Sequence, residues 1–367
     1  MKVRYSYLKQ QFSNCDELWD ELKKFVSTGD FTLGKPLEDF ERKFANLIGT
    51  KYALGVNSGT DAIKLSLKVL GIKKDDEIIT AANTFVATVG AICELGAVPI
   101  FVDCDDSFCM NVDLIESKIT PKTKAIVPVH FTGYMTDMIK LENLAKKYNI
   151  PIVEDACQSI LGDIGGKKAG QWGATGAFSL HPLKNINVWS DGGIIVTNDE
   201  KIFSNLKLLR NHGLSSRDNV EIMGYNSRLD TFQAVVGNWI LPKAQQISDL
   251  RIANALYLDE GLSNIKQIRI PKRLKNYRIV YHLYIVFAEN RDELLNHCLN
   301  EGIEAKIHYP IPMYLQPALK HLNYKIGDFP VTDKHAKEII TFPCDQHLNN
   351  KELDYIIETI NNFYKKN

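Results

Sequence analysis

Lys184 stands in the run Ser179-Leu180-His181-Pro182-Leu183-Lys184-Asn185, and continues into Ile186, Val188 and Trp189 before Asp191-Gly192-Gly193. Such apolar company leaves an amine poorly solvated, and loss of water favours the neutral, nucleophilic form that condenses with a carbonyl. A lone lysine is ordinarily a solvated surface group, so its company decides the matter. Asp155 closes the apolar run Ile150-Pro151-Ile152-Val153, a place where a carboxylate is costly without a cationic partner. A protonated pyridine nitrogen would be such a partner. Capping of the next segment, or pairing with a nearby lysine, would answer the same need. In Asn57-Ser58-Gly59-Thr60-Asp61-Ala62 small residues open a helix, whose first N–H groups lack intrahelical acceptors and can hold a phosphate. A plain cap by Ser58, Thr60 or Asp61 would also account for that run.

These groups need a scaffold that brings distant loops together. From about residue 50 short apolar runs alternate with amphipathic stretches, the pattern of parallel strands joined by crossover helices. Strands are expected at Tyr52–Val56, Glu77–Thr80, Val98–Asp103, Ala125–Val129, Ile150–Glu154, Gly176–Leu180 and Gly193–Thr197, with helices beginning near Thr60, Thr84, Asn111, Met138 and Asp199. In such a sheet, ligands settle at the carboxyl ends of the strands, which is where all three motifs fall. The stretch Asn226–Ile247 reads as one long helix interrupted at Pro242. Strands at Tyr281–Phe287 and Ala305–Tyr309 flank a helix at Arg291–Gly302, and a last helix covers about Lys351–Tyr364. The fold class is therefore α/β: a large domain over residues 1–240, including the N-terminal segment, around a mixed, mostly parallel sheet, and a smaller α+β domain over 241–367.

Acidic and basic side chains balance at 44 each among 367 residues, which offers no overall field for nucleic acid or an anionic membrane surface. The apolar runs are strand-sized and the N-terminus is polar, so a cytoplasmic protein is expected. Seven scattered cysteines without a CxxC pair read as reduced, mostly buried thiols, not as a disulfide framework or a zinc site. No G-x-G-x-x-G follows the first strand, which removes support from a dinucleotide-binding oxidoreductase.

The order of phosphate-type turn, strand-end carboxylate, and Ser-x-x-x-x-Lys before a Gly-Gly strand resembles the sugar aminotransferases of the DegT/DnrJ/EryC1/StrS group, within fold type I of the pyridoxal-phosphate enzymes. The resemblance runs from about Gln11 to the C-terminal helix. It implies pyridoxal 5'-phosphate as cofactor, with Lys184 as the Schiff-base lysine and proton shuttle. It further implies Asp155 at the pyridine nitrogen, Gln158 at the ring 3-hydroxyl, Phe85 stacked on the ring, and Gly59, Thr60 and Ser179 on the phosphate. Asn226, in Gly224-Tyr225-Asn226-Ser227-Arg228, matches a residue that reaches the cofactor phosphate of a neighbouring subunit, hence a homodimer with shared active sites; a helix cap at Asn226 or Ser227 is the alternative.

Arg228, His181 and His308 are substrate-side candidates on the same ground, although His308, like His130, reads equally well as a packed histidine. The implied substrates are a nucleotide-linked keto sugar and L-glutamate. Cys157 replaces the usual Ala and Leu180 the usual Phe, swaps that a core tolerates. Asp191 replaces the Glu of many members, a lean toward amination at C3 of the sugar. Two other outcomes remain open: a dehydratase using the same cofactor, and a non-catalytic regulator of the same fold.

Overall fold

The computed structural model describes residues 1–366. Seven strands build the main sheet: β1 (Tyr52–Val56), β2 (Glu77–Ala81), β3 (Val98–Val102), β4 (Thr123–Val127), β5 (Val153–Asp155), β6 (Thr175–Ser179) and β7 (Gly193–Thr197). Ladders give the orders β1-β7-β6-β5 and β3-β2-β4, and parallel bridges Ile126–Ile152 and Val129–Asp155 join the two. Only β7 runs against its neighbours, antiparallel to both β1 and β6; β5/β6, β2/β3 and β2/β4 are parallel. The sheet is mixed and mostly parallel, as expected. Its near-continuous apolar strands follow from burial on both faces.

The helices around it are α1 (Asp16–Thr28), α2 (Lys35–Ile48), α3 (Gly59–Val69), α4 (Val86–Glu94), α5 (Met138–Tyr148), α6 (Glu200–Arg210) and α7 (Thr231–Ile240). On one face α3 buries Ala62, Ile63, Leu65 and Leu67 against Leu54, Val56, Val153, Ala177 and Ile195. Each such aliphatic side chain contributes roughly 1.5–3 kcal/mol through burial. Phe40 and Phe44 of α2 cover the other face, with Phe44 edge-on to Phe178 at 5.3 Å. Further along, α8 (Ala244–Leu262), α9 (Arg291–Asn300), α10 (Pro330–Glu338) and α11 (Asn350–Lys366) surround a three-stranded antiparallel sheet of β8 (Ile268–Arg269), β9 (Tyr284–Ala288) and β10 (Ile339–Phe342). The chain's start returns to this part: Val3 bridges Ile303.

Three expectations are corrected. Near Asn111 there is no α-helix but two short 3-10 turns, Val112–Leu114 and Glu116–Lys118, the first capped by the Asn111 side chain accepting from Asp113 N–H at 3.1 Å. Ala305–Tyr309 is not a strand; Lys306 alone bridges, to Thr341, and Pro310 and Pro312 just beyond lack the N–H groups a ladder needs. The long helix begins at Thr231 with Asp230 at its cap, so neither Asn226 nor Ser227 is a helix cap. Asn226 instead bridges Asn211, and Ser227 N–H donates to the Arg210 carbonyl at 2.9 Å. Pro242 does interrupt the helix, in a 3-10 turn at Leu241–Lys243.

All seven cysteines are free, five of them buried. Among the described residues, no helix is long and apolar enough to cross a membrane.

Behind β5 lies a fully buried carboxylate. Glu154 accepts N–H groups of Gly170, Trp172 and Gly173 at 2.7–2.8 Å and meets His130 Nε2 at 3.0 Å. This set fixes the loop between β5 and β6. Glu154→Ala is expected to cost about 3 kcal/mol by leaving those donors unpaired, measured by urea unfolding; a loss below about 1 kcal/mol would mean the donors find other acceptors.

Candidate active site

Because β7 alone is reversed, the carboxyl ends of β1, β2, β5 and β6 and the start of β7 share one edge of the sheet. A cavity of about 330 Å³ opens there, lined by Gly59, Thr60, Phe85, Asp155, Gln158, Ser179, His181, Lys184 and His308, together with Cys157 and Asp191. Nine of the eleven residues singled out in the sequence thus meet in one place. A neighbouring groove of about 1000 Å³ shares Thr84, Phe85 and Tyr309, but is walled mainly by apolar residues and contains neither the lysine nor the carboxylate.

Lys184 rides on a hydrogen-bonded turn. Its N–H donates to the His181 carbonyl at 2.8 Å and its own carbonyl accepts from Asn187 Nδ2 at 2.9 Å. Leu180 N–H holds the Gly192 carbonyl at 2.8 Å, which ties the turn to β7. Burial pulls the Lys184 amine below the usual lysine range, only partly opposed by Cys157 and Asp155. The neutral form needed for condensation is thereby favoured.

Asp155, 5% exposed, accepts from Thr88 Oγ1 at 2.7 Å and from the Cys157 N–H at 3.2 Å. Among the described residues no lysine, arginine or histidine forms an ion pair with it. A buried carboxylate without a protein cation suits a cationic ring nitrogen brought by a ligand. The Cys157 thiol is pushed well above its ordinary value by burial, so it is a packing group, not a nucleophile.

At the opposite wall Ser58 is the cap of α3, its Oγ accepting from Asp61 N–H at 3.1 Å. The capping role is thus filled by Ser58, and the first-turn N–H groups of Gly59 and Thr60 have no intrahelical acceptor. Two glycines make this turn possible. A Cβ on Gly59 would lie 2.7 Å from Ser179 Cβ, and one on Gly193 would lie 2.1 Å from the Ser58 carbonyl oxygen. The donor set and this close approach fit a phosphate.

Gln158 Oε1 accepts from Thr132 N–H at 2.8 Å, and its amide also bonds the Tyr309 hydroxyl. Thr132 has φ +65°, unusual for a β-branched residue. Phe85 is half exposed at the cavity wall, 5.8 Å from the Tyr309 ring. His308 Nδ1 meets Thr341 Oγ1 at 2.9 Å, and burial pulls its imidazole down to about 4, so it is neutral in the working range.

Two expected residues stand apart. Asn226 and Arg228 line a separate cleft of about 220 Å³ with Asn57 and Asp230, and Arg228 donates to Asn211 Oδ1 at 2.8 Å. His130 is the packed histidine behind Glu154. Sequence reasoning missed Tyr5, His282 and Lys306 in the cavity wall, and Thr88 behind Asp155. Thr88 could have been found from its spacing of four after Thr84 at a helix start; the others are joined to the site only by long-range contacts.

The fold is that of a fold type I pyridoxal-phosphate aminotransferase. The profile of the DegT/DnrJ/EryC1/StrS aminotransferase family matches residues 14–361, and the chain belongs to that family. Among its relatives is a "pleiotropic regulatory protein" of Geobacillus stearothermophilus, 34% identical and covering 100% of this chain and 99% of the relative. Another is a dTDP-3-amino-3,4,6-trideoxy-alpha-D-glucose transaminase of Micromonospora megalomicea, 35% identical with 97% of each chain covered. Two solved structures are similar: DesV of S. venezuelae in complex with a ketimine intermediate (TM-score 0.96, 34% identity, 99% and 98% covered), and NtdA of Bacillus subtilis with bound cofactor PMP (TM-score 0.93, 28% identity, 99% and 85% covered).

Gly193→Ala should push the Ser58 carbonyl aside and spoil the phosphate turn. An overpacking cost of about 1–3 kcal/mol corresponds to a roughly fivefold to 150-fold weakening of pyridoxal phosphate binding, read by absorbance titration of the apo-protein. Unchanged affinity would show that the turn adapts.

Proposed function

We propose that this protein transfers an amino group from L-glutamate to a nucleotide-linked keto sugar, at C3, with pyridoxal 5'-phosphate as cofactor. The observation that carries the reading is the pairing, in one cavity, of an amine depressed by burial at Lys184 with the buried, cation-free carboxylate of Asp155. Support for a sugar substrate comes from the family and from the names of relatives such as the dTDP-linked transaminase. Support for C3 comes from the Asp191-Gly192-Gly193 run with Lys184-Asn185, together with relatives named for amination at that carbon.

When bound, the cofactor supplies an aldehyde and a ring that accepts electrons. Lys184 Nζ, whose proton affinity burial lowers, would be the nucleophile toward that aldehyde and the carrier of the proton from the amino-bearing carbon of the donor. Asp155 would hold the protonated ring nitrogen, Gln158 would meet the 3-hydroxyl, and Phe85 would cover one ring face. Gly59, Thr60 and Ser179 would bind the phosphate through N–H and hydroxyl donors. His181 and His308 border the substrate, and both can donate and accept hydrogen bonds without adding charge when neutral.

Asn226, exposed, and Arg228, half-buried, in their own cleft serve the cavity of a second copy, which makes the working unit a homodimer. Residues 1–240 form the cofactor-binding part and 241–367 the smaller part, and the protein acts in the cytoplasm. A regulator without catalysis would have no use for the lysine, the carboxylate and the phosphate turn held together.

Borohydride reduction of the cofactor-loaded protein should fix the label on Lys184, located by peptide mass spectrometry. Lys184→Ala should lower turnover at least ~10⁴-fold with glutamate and a panel of nucleotide-linked 3-keto sugars, since the nucleophile and the proton carrier go together. Label on another residue, or turnover surviving the substitution, would sink the reading.

A further inference from the structure

Behind the wall of the cavity Asp155 is reached by two hydroxyls in series. We propose that Thr88 is a positioning residue that orients the Asp155 carboxylate toward the cavity, and that Thr84 in turn orients Thr88. The proposal rests on the reading of Asp155 as the partner of the cofactor's ring nitrogen.

Thr88 Oγ1 lies 2.7 Å from Asp155 Oδ2, and Thr84 Oγ1 lies 2.7 Å from Thr88 Oγ1. Thr84 and Thr88 are 1% exposed. An ionised carboxylate only accepts hydrogen bonds, so the single hydroxyl proton of Thr88 points at Asp155. Thr84 must then be the donor to Thr88, and the direction of the relay, Thr84 to Thr88 to Asp155, follows from the charge at its end. Charge-assisted bonds of this kind are about twice as strong as neutral ones.

The backbone places both threonines for the task. Thr88 sits in the first turn of α4, its N–H on the Phe85 carbonyl at 3.3 Å. Thr84 and Thr88 are four apart, and the turn between them carries Phe85, which lines the cavity. One turn of chain thus sets an aromatic wall of the cavity and, from behind, the angle of the carboxylate. The other Asp155 oxygen is tied by the Cys157 N–H at 3.2 Å. With one donor on each oxygen the plane of the carboxylate is fixed, and each oxygen keeps a lone pair for the cavity. Thr88 need not touch the cofactor to act; its effect passes through Asp155.

The test uses the full-length protein with Thr88→Val, Thr88→Ser, Thr84→Val and Asp155→Asn, each stripped of cofactor and titrated with pyridoxal phosphate. Removing one hydrogen bond to a charged group corresponds to a roughly tenfold or larger weakening of affinity for Thr88→Val. The midpoint of the pH-dependent absorbance of the bound cofactor should move by about one unit. Thr88→Ser should restore both, and the melting temperatures of the apo-proteins separate this from loss of folding. Unchanged affinity and absorbance in Thr88→Val, with Asp155→Asn impaired, would overturn the role of Thr88 alone. An unimpaired Asp155→Asn would overturn the reading of Asp155 and this proposal with it. Thr84→Val should weaken affinity in the same direction as Thr88→Val, and an unchanged affinity in Thr84→Val would overturn the part assigned to Thr84.

Discussion

Two ionisable groups of opposite sign, the half-buried Lys184 and the buried Asp155, line the same cavity without forming an ion pair with each other. Neither is stable there as an isolated charge. The amine answers by favouring its neutral form, and the carboxylate by collecting neutral donors from Thr88 and the Cys157 backbone. What remains is an unsatisfied demand for a cation near Asp155 and for an electrophile near Lys184. A folded chain that leaves such demands unmet is organised around a group it does not itself contain.

The sheet topology makes this arrangement possible. With β7 reversed between β1 and β6, the start of β7 lies beside the ends of its neighbours, and Gly193 comes against the Ser58 carbonyl. The phosphate turn, the lysine turn and the carboxylate are then a few strands apart along one edge. Had β7 been parallel, Gly193 would lie at the far edge and Leu180 would lose its bond to Gly192. The orientation of one strand therefore governs how three loops far apart in the chain come together.

Much of the large sheet was legible in the chain because its strands are apolar runs between Gly, Pro and polar turns, and the end of a parallel strand is where a polar residue stands out. Asp155, Lys184 and Gly59-Thr60 were visible for that reason. Ala305–Tyr309 misled because alternating Ala305, Ile307 and Tyr309 has the period of a strand, while its hydrogen-bonding partner is limited to Thr341. Tyr5 was hidden in a polar N-terminus. It reaches the cavity only because Val3 bridges Ile303 and Tyr5 N–H donates to Glu304 at 2.9 Å. Asn226 and Ser227 suggested a cap by residue type, but the helix waits for Asp230 because the preceding segment pairs with Asn211 and Arg210.

The remaining titratable groups of the cavity show how charge is rationed. Burial drives His308 and His282 toward their neutral forms and keeps the Tyr5 and Tyr309 hydroxyls and the Cys157 thiol protonated. An anionic phosphate entering this space therefore meets few formal positive charges close at hand. Its negative charge must be met mainly by N–H groups at the start of α3 and by hydroxyls such as Ser179, the means by which helix N-termini hold anions. A lysine or arginine recruited to the phosphate would sit close enough to depress Lys184 further and to attract Asp155, weakening the separation of roles that the cavity maintains.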